Sequence, residues 1–419
     1  MTTPENTALL ACIRFYFGTT AECDVKDALG GAIDWSVLLK TAIDHGVMPL
    51  LYHALKSMDV QVPRSILMNL QVCYRMNGLH NVSQTQELLK VLAQLEAAGI
   101  DAIAFKGSAL AASAYGNIAF RQFNDLDILV KRQDFWQAKA VLVAAGYHSP
   151  VSTGELLQFQ RYLQISLVNR TPDAALFNQK FQHSLLHSNP ERSIDLHWGI
   201  PPRRTWKCDR IERLWENLDT IDLMGQSIQT FSPETALVVQ CLNVAKEPWK
   251  RSFKQICDVA QIIQAYPKLN WNTALELSAD LRSQRLFLIG VEVTAQLLGV
   301  PLPEFVREKL AGNDSSHQQV FESDRAPTGV LKTSWWEYTD QLNTLDQARD
   351  GIFATGFYPL ITLLAILTTI TSINDRDREL LPLPSWLFFL YYVLRPIRLL
   401  IQYGFARKPL TVQSKVEFL

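Results

Sequence analysis

The run Ile100-Asp101-Ala102-Ile103-Ala104-Phe105, closed by Lys106-Gly107-Ser108 and followed further on by Asp125-Leu126-Asp127-Ile128-Leu129-Val130, decides how this chain is read. The first six residues are β-compatible, alternate weakly and stop at a turn signal, which predicts strand, tight turn and helix. The Ala-rich stretch from Ser108 to Tyr115-Gly116 supplies the helix, and Asp125 to Val130 predicts a second strand. In a strand, residues i and i+2 share a face. Asp125 and Asp127 therefore project together, about 6–7 Å apart at Cα, while Leu126 and Ile128 turn to the core. Two carboxylates on the wet side of a half-buried strand suit a hard cation such as Mg²⁺, with Mn²⁺ as a substitute. Lys106-Gly107-Ser108 adds a phosphate cradle: Gly107 permits close backbone approach, Ser108 offers a hydroxyl, and the helix behind them aims its first amides at an anion.

Upstream, Leu88, Leu89, Leu92 and Leu95 follow the helical period and Gly99 ends the helix, so it leads directly into the first strand. Downstream, Asp134 caps an amphipathic helix that ends near Gly146, and Tyr147 to Pro190 is polar and irregular. Arg192-Ser193-Ile194-Asp195-Leu196-His197-Trp198 gives a third strand-like run, ended by Pro201-Pro202. From Ser232-Pro233-Glu234, with Ser232 as N-cap, helical periodicity runs through Ile263, and further helices reach about Leu310. The expected class is α+β: a small mixed sheet (99–205) between an N-terminal helical region (1–98) and a helical domain (206–310). A linker (311–345) and an apolar C-terminal helical segment (346–419) follow.

The 419 residues include 40 Lys and Arg against 41 Asp and Glu, a net charge of −1 that gives no strong nucleic-acid signal. The six cysteines are scattered without a C-x-x-C pair, and the N-terminus has no basic segment leading into an apolar run. Reduced thiols and a cytoplasmic location are expected. No charged residue stands between Asp350 and Asp375, or between Glu379 and Arg395, which raises the question of a membrane span. Pro359 divides the first run and its later half carries Thr362, Thr368, Thr369, Thr371 and Ser372. A packed or interfacial helix is favoured over a span, leaving peripheral membrane contact open.

The ordered motifs L-x-x-x-G-I-D-A-I-A-F-K-G-S-A-L, R-Q-F-N-D-L-D-I-L-V, A-A-G-Y and S-I-D-L-H-W resemble the uncharacterised bacterial nucleotidyltransferases of the DNA polymerase β superfamily. The resemblance runs clearly from Ile33-Asp34-Trp35 to Asp258 and more loosely through L-P-L-P-S-W-L near the C-terminus. It implies binding of a nucleoside triphosphate such as ATP with Mg²⁺, and transfer of a nucleoside monophosphate to an acceptor that the sequence does not identify. By position, Gly107 and Ser108 match the superfamily's glycine-serine turn and Lys106 the family's K-G variant. Asp125 and Asp127 match the metal pair, and Asp195 the third carboxylate. Arg121 also matches and is assigned to triphosphate or acceptor phosphate, with a surface ion pair as its alternative. Asn243 and Glu247 stand where related chains often have histidine, which puts any substrate role for that helix in doubt.

Asp195 and His197 share a strand face, so His197 is expected to orient a carboxylate or meet substrate. Lys246 and Trp249 are candidates for an acceptor groove, with a core role the simpler reading for Trp249. His183 and His187 have zinc-ligand spacing but neither an H-E-x-x-H nor a cysteine pair nearby, so ordinary histidines are expected. G-x-S-x-G, Walker A and G-x-G-x-x-G are all missing, which removes the commonest cues for esterases, P-loop NTPases and Rossmann oxidoreductases. The expectation is a Mg²⁺-dependent nucleotidyltransferase with Asp125, Asp127 and Asp195 as catalytic metal ligands. The competing class is a non-catalytic nucleotide-binding or partner-binding module on the same fold, antitoxin-like or scaffold.

Overall fold

The computed structural model describes residues 3–148, 182–189, 192–200, 210–246 and 253–312. All belong to the first of two units into which the chain divides, Met1–Gln341 and Leu342–Leu419. The apolar C-terminal segment, most of the linker, Pro201-Pro202, Glu247 and Trp249 lie outside the described residues. Among the described residues no helix is long and apolar enough to cross a membrane.

Five helices precede the sheet: α1 (Pro4–Tyr16), α2 (Glu22–Leu29), α3 (Trp35–Asp44), α4 (Met48–Ser57) and α5 (Arg64–Ala97). Gly99, at φ +71°, turns the chain out of α5, a conformation that costs glycine nothing. Next come β1 (Ala102–Ala104), α6 (Gly107–Ser113), a 3₁₀ turn at Ile118–Phe120, β2 (Leu126–Val130) and α7 (Phe135–Ala144). β1 is shorter than its sequence run, since only three residues pair with β2.

Three more strands, β3 (Tyr147–His148), β4 (Gln182–His187) and β5 (Ser193–His197), complete a sheet of order β1-β2-β5-β4-β3. The β2–β5 pair is parallel and the others antiparallel. Leu126, Ile128 and Val130 of β2 and Ile194 and Leu196 of β5 turn to one face, against Leu88, Val91 and Leu95 of α5 and Phe135, Ala138 and Leu142 of α7. Burying each such Leu or Ile side chain contributes roughly 1.5–3 kcal/mol. The alternate residues, Asp127, Asp195 and His197, are thereby committed to the opposite face.

The stretch expected to be helical from residue 206 begins differently. It holds a hairpin, β6 (Leu218–Leu223) and β7 (Gln226–Phe231), whose two turn residues, Met224 and Gly225, both have positive φ. That is the turn matching the strand twist, but Met stands where Asn or Asp usually announces it. β7 lies along β1, where Thr230 Oγ1 donates to the Ala104 carbonyl at 2.7 Å. The helical run expected from Ser232 through Ile263 is two helices, α8 (Pro233–Lys246) and α9 (Phe253–Ala265). Ser232 caps the first through its hydroxyl, which accepts from the Thr235 amide at 3.3 Å. α10 (Trp271–Asp280), α11 (Gln284–Leu298) and α12 (Glu304–Gly312) follow.

α11 crosses α8 at Gly290, where an added Cβ would meet Cys241 Cβ at 2.7 Å and its Cα at 2.8 Å. Gly290→Ala is expected to cost about 1–3 kcal/mol by overpacking. Urea unfolding checks this, and an unchanged midpoint would show that the two helices separate freely.

Candidate active site

β2 and β5 run parallel with Asp127 and Asp195 as register partners, so both carboxylates project from one face of neighbouring strands. His197, two residues beyond Asp195, lies on that same face, and its Nε2 is 2.9 Å from Asp127 Oδ1. The Lys106 ammonium reaches the same oxygen at 2.9 Å from the β1–α6 turn. Burial pushes the Asp127 carboxyl upward, but Lys106 and the His197 hydrogen bond outweigh it and hold Asp127 well below the usual carboxylate range. Asp195, half-buried, accepts from Gln182 Nε2 at 2.9 Å across the β4–β5 pairing. Asp125 sits just before β2, open to solvent on one side. Crowding by protein on the other, and then Asp127, raise its carboxyl above the ordinary value.

Asp127, Asp195 and His197 each bring one possible ligand atom within 4.8 Å of the others. Two carboxylates suit Mg²⁺ or Mn²⁺. Because His197 Nε2 lies at hydrogen-bond distance from Asp127, it is placed to orient that carboxylate, the usual arrangement around a ligand.

Beside this cluster, Gly107 opens α6 at φ +49°, with Phe123 and the Asp125 carbonyl packed closely enough to touch any added Cβ. The positive φ calls for glycine there, since the neighbours themselves, at 3.4 Å or more, would be in ordinary contact with a Cβ. In the first turn of α6 the Ala109 and Leu110 amides donate to the Lys106 carbonyl, so it is the Gly107 and Ser108 amides that helix geometry leaves without intrahelical acceptors, beside the Lys106 ammonium.

The uncharacterised nucleotidyltransferase family matches residues 31–299, well over half of the chain. The chain belongs to that family. Two solved structures are similar to it in part. One is the solution structure of the antibiotic-resistance factor ANT(2'')-Ia, 12% identical, covering 51% of this chain and 98% of that one with a TM-score of 0.33. The other is the crystal structure of an antigenic nucleotidyltransferase-like protein from Paracoccidioides brasiliensis, 14% identical, covering 53% of this chain and 93% of that one with a TM-score of 0.30. No curated protein matches the chain.

In this nucleotidyltransferase the remaining residues singled out from sequence fall in four places. Ser108 is buried, and its hydroxyl pairs with Thr85 Oγ1 of α5 at 2.8 Å, directed into the protein. Arg121 is also buried, forked onto Asp258 of α9. Lys246 ends α8, and its side chain lies outside what is described. The pair with zinc-ligand spacing lies on β4: His183 is buried against the rings of Phe135 and Trp198, and His187 is half-buried with its ring against Tyr147.

Sequence reading did not find Gln182, Lys254, or the pairing of Arg121 with Asp258. Lys254 Nζ donates to the Gln122 carbonyl at 2.9 Å, within the loop leading to Asp125. Only the adjacency of Lys254 and Asp258, one helical turn apart, hinted at a shared face.

Burial of its amine, and then the Arg121 guanidinium, bring the Lys254 pKa down to about 8. A lysine whose folded pKa lies below its unfolded one holds its proton less readily when folded, so stability rises as pH climbs from about 8 toward the ordinary lysine range. Relative to Lys254→Met, the wild-type nucleotidyltransferase is expected to gain up to about 1.4 kcal/mol per pH unit in that window. Urea unfolding at pH 8, 9 and 10 measures it, and a stability difference that does not vary with pH would refute the assignment.

Proposed function

We propose that this chain is a Mg²⁺-dependent enzyme that transfers a nucleoside monophosphate from a nucleoside triphosphate, ATP among the candidates, to a hydroxyl or phosphate acceptor. The observation that carries the reading is the register pairing of Asp127 with Asp195 beside the Lys106-Gly107 turn. Asp127 and Asp195 hold the divalent ion, with Asp125 close by at the start of β2. When bound, that ion neutralises charge on the transferring phosphate and lowers the pKa of the attacking hydroxyl.

The chain's own groups do the rest. Gly107 lets phosphate oxygens approach the backbone, and Lys106 places a positive charge at the same point. The acceptor oxygen forms its bond to the α-phosphorus as the bond to the bridging oxygen breaks, and pyrophosphate leaves. Asp195, the less buried of the paired carboxylates, takes the acceptor's proton. His197 keeps Asp127 oriented throughout. The thiols of Cys12, Cys23, Cys73, Cys241 and Cys257 are free, which supports work in a reducing compartment such as the cytoplasm.

Asp127→Asn and Asp195→Asn are each expected to lower pyrophosphate release by about 10²–10³-fold. The assay incubates the protein with Mg²⁺, each of ATP, CTP, GTP and UTP, and cell extract as acceptor source; turnover equal to wild type in both variants would refute the reading. Ser108→Ala separates the hydroxyl from the turn. Because that hydroxyl pairs with Thr85, the variant is expected to lose about 1 kcal/mol of stability and keep nucleotide affinity within about threefold. A large affinity loss by calorimetry, with stability intact, would assign the hydroxyl to phosphate instead.

A further inference from the structure

Asp258 of α9 is fully buried and receives hydrogen bonds from two separate stretches of the catalytic half. Tyr115 Oη donates to Oδ1 at 2.9 Å. Arg121 Nε reaches Oδ1 at 2.9 Å and Oδ2 at 3.1 Å, and Nη2 reaches Oδ2 at 2.9 Å. Tyr115 lies just past α6, the helix opened by the Lys106-Gly107-Ser108 turn, and Arg121 lies four residues before Asp125. One turn earlier on α9, Lys254 holds the Gln122 carbonyl.

We propose that Asp258 is a positioning residue for the transfer reaction: it ties the helix bearing the phosphate turn and the loop bearing Asp125 to a single carboxylate, and thereby fixes how far the turn stands from the metal ligands. The inference rests on the nucleotidyl-transfer reading above. A buried ion pair holds elements together no better than apolar side chains of the same volume. A bidentate guanidinium–carboxylate pair, by contrast, fixes orientation, which dispersion contacts do not. Asp127 and Asp195 are set by the β2–β5 register and need no such tie. Asp125 and Gly107 lie outside that pairing: Lys106 holds the turn to Asp127 at its start, and the Asp258 contacts hold the far end of α6 and the loop before Asp125.

The tie gives a test with a split readout on the full-length protein. Mn²⁺ alone, followed by electron paramagnetic resonance, reports the ligands set by the sheet. The Mn²⁺ complexes of ATP, CTP, GTP and UTP, followed by calorimetry, report the turn and the metal ligands together. Asp258→Asn, and the apolar replacement Arg121→Met with Asp258→Leu, are expected to bind free Mn²⁺ within about twofold of wild type. They should bind the preferred nucleotide complex at least tenfold more weakly, because without the tie the turn shifts relative to the metal ligands, and a displacement of about 1 Å costs on that order. Tyr115→Phe removes one hydrogen bond only and is expected to fold and to shift the nucleotide complex in the same direction by about threefold.

Folded Asp258 variants with wild-type affinity for both probes would overturn the inference, as would equal weakening of both. If the charge variants do not fold, Tyr115→Phe decides: a selective loss supports the tie and unchanged affinity overturns it. Failure of the wild-type protein to bind any nucleotide complex would overturn the nucleotide reading itself, and the inference with it.

Discussion

Two carboxylates set side by side on adjacent parallel strands repel one another, and much of the sheet and its flanking turns answers that repulsion. Asp127 is buried where solvent cannot screen it, so its charge persists only because Lys106 and His197 converge on one of its oxygens. Asp195 is answered by Gln182 from the neighbouring strand. Each compensating group comes from a different neighbour of β2 or β5. The order β1-β2-β5-β4 therefore brings turn, histidine and glutamine to the pair together. Remove any of these strands and a charge is stranded in a poorly solvated place.

α5 plays the complementary part for the loop between α6 and β2. That loop is largely irregular, so its carbonyls find no partners in a ladder. Asn77 and Asn81 donate to carbonyls at Ile118, Ala119 and Arg121, and His80 Nε2 donates to that of Phe123. These side chains recur at i, i+3 and i+4, with Thr85 one turn further, forming a polar stripe on a helix whose later turns supply core leucines. The loop is thus gripped from one side by α5 and from the other by α9.

The strand, turn and helix around Lys106-Gly107, the strand at Asp127 and the strand at Asp195 were legible because alternation and a glycine stop are local signals. The grouping of Asp127 with Asp195 was legible through resemblance and follows physically from one register. β4 was hidden because Gln182-His183-Ser184-Leu185-Leu186-His187 lacks β-branched residues and draws its stability from pairing with β5. The β6–β7 hairpin was hidden by Met224 in its turn. Ser108, chosen for its hydroxyl, could not be seen to face Thr85, since helical phase depends on where α5 passes. Arg121 found its partner across more than a hundred residues of chain, a separation at which spacing carries no information.

The crossing of α8 and α11 at Gly290 has a chemical corollary. Cys241 lies on that contact with its thiol raised well above its ordinary pKa by burial, and Cys257 is raised likewise. Neither supplies the thiolate that alkylating reagents or peroxide require. Among the described residues, solvent-exposed Cys23 on α2 and half-buried Cys73 on α5 are left as the accessible handles for a fluorophore or spin probe, while Cys241 and Cys257 stay chemically silent.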